Sequence, residues 1–83
     1  MNNQKDVLEL LDSPTISALL KIYDIQYSAL AFKFHCSKQN IVYLMKHDAF
    51  KDYQRQLIYE LFKSYGMEDL ELFLIHHLLH KKG

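Results

Sequence analysis

An all-α fold, a compact domain of five to six helices, is what this sequence predicts, and three observations carry that expectation. Apolar residues recur at three- and four-residue intervals along most of the chain, the period of helices buried on one side. Two glycines and one proline among 83 residues leave little punctuation for a many-turned β fold. Short polar clusters at residues 12–15, 35–37 and 46–48 cut the apolar pattern into helix-length pieces. A chain of this length has room for one core, so residues 1–83 are expected to form a single domain.

A first helix over about 3–11 would bury Val7, Leu8, Leu10 and Leu11. Ser13 followed by Pro14 is a restart signal, because serine caps a helix and proline tolerates its first position. The second helix, to about residue 24, turns Ile16, Leu19, Leu20 and Tyr23 inward. The third covers about 27–34 with Leu30, Ala31 and Phe34 inward. After the break at 35–37, Ser37 caps a fourth helix that buries Ile41, Leu44 and Met45 and gives way to a loop at 46–48. Asp52 is expected to cap a fifth helix over 53–65, with Leu57, Ile58, Leu61 and Phe62 as its core face. Gly66 stands where a helix end takes a left-handed residue. The last helix, about 68–81, opens on Glu68, Asp69 and Glu71 and closes on Lys81 and Lys82, both signs matching the helix dipole.

Composition narrows the function classes. One cysteine, Cys36, excludes an intrachain disulfide and a cysteine-rich zinc site, and it fits a reducing cytoplasm. The first residues lack the profile of a signal peptide, and no uncharged apolar run approaches the roughly 20 residues of a membrane span. The expected location is cytoplasmic, with no membrane partner. There is no glycine-rich phosphate loop, no nucleophile with an oriented histidine and no acid pair placed for acid/base work, so no enzyme and no cofactor is expected. Ten basic side chains balance ten acidic ones. The balance is uneven along the chain: residues 1–20 carry a net −2, 21–66 a net +3 and 67–83 a net −1.

The positive segment holds the most informative pattern. Two short helices joined by a three-residue turn have the geometry of a helix-turn-helix. The run from Ile25-Gln26-Tyr27 through Leu30-Ala31 and Lys33 to Ser37-Lys38-Gln39-Asn40-Ile41, then a further helix from Gln56 to a turn at Gly66-Met67, resembles the phage Cro/repressor (XRE) family of DNA-binding domains. With residues 13–24 as that family's first helix, the resemblance covers about 60 residues. It implies a helix-turn-helix at about 27–46 and a sequence-specific transcriptional regulator, a dimeric repressor of phage or mobile-element type. Its partner would be double-stranded DNA carrying a palindromic operator. Base contacts are implied for Lys38, Gln39, Val42 and Tyr43, since lysine pairs with guanine, glutamine with adenine and an apolar group with a thymine methyl. Backbone contacts are implied for Gln26, Tyr27, Lys33, Asn40, Lys46, Lys51 and Arg55. The sequence departs from the family pattern at His35, where a glycine is usual, at Met45-Lys46-His47, and at Phe32, where many members are polar.

The last helix is too apolar for burial on one side. Leu70, Phe73 and Leu74 are expected to finish the core, leaving Leu72, Ile75, Leu78 and Leu79 as a homodimer interface over about 68–81. An N-terminal helix covering that face is the bland alternative. His76 and His80, four apart, have metal-ligand spacing but no acid or thiol near them in sequence, so no metal site is expected. The alternative function is a protein-binding module on the same scaffold, an antitoxin, antirepressor or phage inhibitor that does not bind DNA. The neutral charge and aromatic-rich composition favour it. A purely structural oligomerisation domain is a weaker third.

Overall fold

A computed structural model describes residues 4–81. Six helices and no strand occur among them: α1 (Gln4–Glu9), α2 (Ser13–Ile22), α3 (Tyr27–Phe34), α4 (Lys38–His47), α5 (Asp52–Ser64) and α6 (Asp69–Leu79). The all-α expectation holds. Helix α3 packs on α4, α2 on α6 and α1 on α5, with further contacts of α2 to α4 and α3 to α5. The expected ends at residues 3 and 82 lie outside the described residues.

The core gathers one stripe from every helix. Leu11, Ile16, Leu19, Leu30, Ile41, Ile58, Phe62 and Leu72 are completely buried. Leu11, Ile25, Phe50 and Met67 come from connections and not from helices, and Phe50 and Met67 are the two beyond the α1–α3 region. Phe50 meets Phe34 edge-on with ring centroids 6.2 Å apart, closing the gap between α3 and the α4–α5 loop. Burying a large apolar side chain contributes about 1.5–3 kcal/mol, so these two loop residues hold the helix ends against the core.

Four successive helix ends, those of α2 to α5, use one device. Asp24, His35, Asp48 and Gly66 each take positive φ (57°, 57°, 50° and 103°). The next residue's N–H then returns to a carbonyl five positions back: Ile25 to Leu20, Cys36 to Ala31, Ala49 to Leu44 and Met67 to Phe62, at 2.8–3.0 Å. This is the Schellman ending, with buried Ile25 and Met67 as its apolar anchors. Only one of the four left-handed residues is glycine, which explains how so few glycines suffice. His35 adopts the left-handed turn that its place in the sequence demands.

Several starts and ends differ from the sequence-based expectation. The cap of α2 is Asp12, whose Oδ1 accepts the Thr15 N–H at 3.0 Å, and Ser13 is already helical. Ser13 is buried and donates both its N–H and its hydroxyl to Asp48 Oδ1, at 2.9 and 3.0 Å. Burial works against the Asp12 charge, yet the bonds from Thr15 and the neighbouring His80 and His76 outweigh it and hold that carboxyl below the usual carboxylate range. Helix α4 runs through Lys46 and His47, where a loop was expected; the Lys46 cation suits a helix C-terminus, and Asp48 turns the chain instead. The α5 cap is Lys51, whose N–H donates to Gln54 Oε1 at 2.8 Å, and Asp52 is the first helical residue. Helix α6 has Glu68 as its cap and ends at Leu79.

Candidate nucleic-acid interface

Residues 35–37 join α3 to α4. Ser37 Oγ accepts the Asn40 N–H at 3.1 Å, fixing the start of α4. Ala31 is buried, as a close crossing of the two helices requires, and Leu30 and Ile41 meet in the core behind it with Phe34 and Leu44 partly buried. With Ile41 pointing inward, the opposite face of α4 presents Lys38, Gln39, Val42, Tyr43, Lys46 and His47 to solvent. Val42 is 45% and Tyr43 56% exposed, and the Tyr43 ring lies 4.4 Å, centroid to centroid, from His47.

Two open clefts border this stripe. One is lined by Ser17 and Lys21 of α2, Asp24 and Gln26 of the next turn, Tyr27 of α3, and Lys38 and Val42 of α4. The other shares Ser17, Tyr27 and Val42 and continues over Pro14, Met45, Lys46 and Asp48. The structure therefore brings Gln26, Tyr27, Lys38, Val42 and Lys46 together. Gln39, Asn40 and Tyr43 are exposed on α4 beside them but do not line these clefts.

Three more of the expected contacts do not line these two clefts. Lys33 faces the α3–α5 side, in a cleft with Phe32, Leu61 and Tyr65. Lys51 is exposed at the cap of α5. The Arg55 side chain is only 22% exposed, and its guanidinium donates to the exposed Asp52 carboxylate at 2.9 Å. Lys21 is a lining cation the sequence reading missed, because it falls in the last turn of α2 and outside the recognisable motif. Lys21, Lys38 and Lys46 are opposed in the clefts by Asp24 and Asp48, a small positive excess.

The α6 surface departs from expectation. Leu72 is fully buried and Ile75 partly so, whereas Leu70, Phe73 and Leu74 are 67%, 48% and 54% exposed. Leu72 therefore belongs to the core and is corrected as an interface residue, whereas Ile75 packs against the core at one side and lines a surface depression with Leu70 and Leu74 at the other. The cause is polar anchoring. The Tyr23 hydroxyl donates to Glu71, and the His76 ring bonds the Leu10 carbonyl at 3.0 Å, so the α6 face that meets α2 includes Glu71 and His76. Leu78 and Leu79 remain exposed, as expected. With Leu70, Phe73 and Leu74, Leu78 forms an outward seam at three- and four-residue spacing.

No family model matches the chain, and neither a curated protein nor a solved structure is significantly similar to it. No helix among the described residues is long and apolar enough to cross a membrane.

Proposed function

We propose that the chain is a sequence-specific DNA-binding regulator, acting as a dimeric repressor on a palindromic operator. One observation carries this reading: the capped start of α4 projects Lys38, Gln39, Val42 and Tyr43 along one exposed stripe, flanked by Gln26, Tyr27 and Lys46. In that reading α4 enters the major groove. Lys38 and Gln39 read base edges, Val42 meets a thymine methyl, and Tyr43 contacts a base or the backbone beside it. Gln26, Tyr27, Asn40 and Lys46 position the helix on phosphates, with Lys21 added to them. Lys33, in a neighbouring cleft that also includes Gln26, and Lys51 and Arg55 at the start of α5 are flanking phosphate contacts in the same reading.

Dimerisation falls to the outward seam of α6, through Leu70, Phe73, Leu74 and Leu78. Two copies of α4 one DNA turn apart would then read the two halves of a palindrome. Retardation of random duplex DNA pools, followed by selection of the bound fraction, tests the activity directly.

A second reading has its own observation. Phe32 is 84% exposed on α3, and the α6 seam adds a second apolar surface to a chain with no net charge. A protein-binding module would use these surfaces. It would associate with its partner almost independently of salt, whereas DNA binding falls steeply as counterions are released.

A further inference from the structure

Asp12, His76 and His80 converge where α6 crosses the α1–α2 junction. Asp12 Oδ1 is committed to capping α2, which leaves Oδ2 facing α6. That oxygen lies 2.7 Å from His80 Nε2 and 3.7 Å from His76 Nδ1. The two imidazoles, one helical turn apart, have ring centroids separated by 4.3 Å. One donor atom from each of the three side chains lies within 4.8 Å of the other two. Two further oxygens border the same place: the Leu10 carbonyl at 3.0 Å and the Thr15 hydroxyl at 3.2 Å from His76 Nδ1.

Two imidazoles and a carboxylate are the donor set of borderline divalent ions such as zinc. Around a tetrahedral ion at 2.0–2.2 Å from its ligands, adjacent donors stand about 3.3 Å apart. The two separations from Asp12 Oδ2 straddle that value and the donor set as a whole lies within 4.8 Å, so side-chain movements of up to about 1.5 Å close it around an ion. Ligation through His76 Nδ1 leaves its ring proton on Nε2 and releases the Leu10 carbonyl from its hydrogen bond. The missing element at the level of sequence was the acid, which the fold supplies from 68 residues away from His80.

We propose that Asp12 Oδ2, His76 Nδ1 and His80 Nε2 bind one divalent first-row transition ion, with zinc as the reference case, and that the ion clamps α6 onto the α1–α2 junction. Three protein donors leave a position for water, which makes this an open site. The clamp is independent of DNA binding and acts on the helix whose other face carries the exposed apolar seam.

The test is calorimetric titration of the full chain with zinc chloride at neutral pH, paired with thermal melting and with the visible absorption of the cobalt-loaded protein. One ion per chain is expected, with a Tm rise of more than about 10 °C at a hundredfold excess over Kd. Asp12→Asn keeps an oxygen to cap α2 and removes the carboxylate, and His80→Ala alters a half-exposed side chain. Each should weaken zinc binding at least tenfold without unfolding the chain, while His77→Ala, on the exposed face, leaves it unchanged. Absence of one-to-one binding at micromolar zinc overturns the proposal, as does zinc binding of wild-type strength in both Asp12→Asn and His80→Ala. A melting temperature that Asp12→Asn lowers equally with and without zinc reduces the cluster to a hydrogen-bonded clasp and also overturns it.

Discussion

In the proposed DNA-binding reading, Gln39 is the single side chain on which base reading turns. It is exposed in the first turn of α4, unbonded to the cap that fixes that turn, and its amide can meet an adenine edge with both a donor and an acceptor. Gln39→Ala should relax the preference at one base pair by about 1–3 kcal/mol while leaving the melting temperature unchanged. Competition binding with single-base variants of the selected site measures this. Tyr23 and Tyr59 make a second prediction at this scale. The bond to Glu71, with burial added, pushes the Tyr23 hydroxyl up to about 12. Burial, then the 2.7 Å bond to Asp69, pushes Tyr59 to about 12 as well. A raised value in the folded chain means the stabilisation is fully present below the ordinary tyrosine value near 10 and is lost as pH rises through 12. Denaturant unfolding at pH 9 and pH 11.5 should show a larger loss for the wild type than for the Tyr23→Phe/Tyr59→Phe double variant.

Helix ends decide how much of each element could be read in advance. The α3 boundaries were legible because Gln26 precedes a clean apolar pattern and because residues 35–37 break it. The Ser37 cap was legible because a serine stood four residues before Ile41. Asp12 and Lys51 were missed as caps because each is followed by another cap-forming residue, and only tertiary bonds decide between neighbours: Ser13 is drawn away to Asp48. On α6 the helix was legible and its rotation was not. Apolar side chains nearly surround it, and the choice of Leu72 over Leu70 for the core was made by Glu71 and His76, whose partners Tyr23 and Leu10, just past the ends of α2 and α1, are invisible to a hydrophobic pattern. The left-handed turns yield a direct test. His35 is exposed with φ of 57°, a conformation that costs a residue with a Cβ roughly 1 kcal/mol. His35→Gly should therefore raise stability by about 0.5–1 kcal/mol, read as a higher denaturation midpoint at constant slope.

At the scale of the whole molecule, association and charge set the behaviour. An outward row of Leu70, Phe73, Leu74 and Leu78 is a large apolar surface for a chain of 83 residues. If the proposed dimer forms through this row, Leu74→Glu should give a monomer by mass in solution where the wild type gives a dimer, without unfolding the domain, because Leu74 is half-exposed. An unchanged mass would place the interface elsewhere. The candidate DNA surface was legible as far as the cap and helical period of α4 reached. Lys21 lines a cleft beside it and Lys33 falls in the neighbouring one, for reasons of packing that spacing along the chain does not encode. The zero net charge resolves into a modest positive excess over residues 21–66, with Asp24 and Asp48 tempering the clefts themselves. In the proposed reading such a surface would bind non-specific DNA weakly, and its selectivity would come from the α4 stripe. The most direct measurement is selection of bound sequences from a pool of random duplex DNA by the wild-type chain. Enrichment of a palindrome whose half-sites lie one helical turn apart, lost in Gln39→Ala at one position per half-site, is the predicted result. A pool that remains unenriched at micromolar protein and low salt would contradict DNA recognition and leave the protein-binding reading in its place.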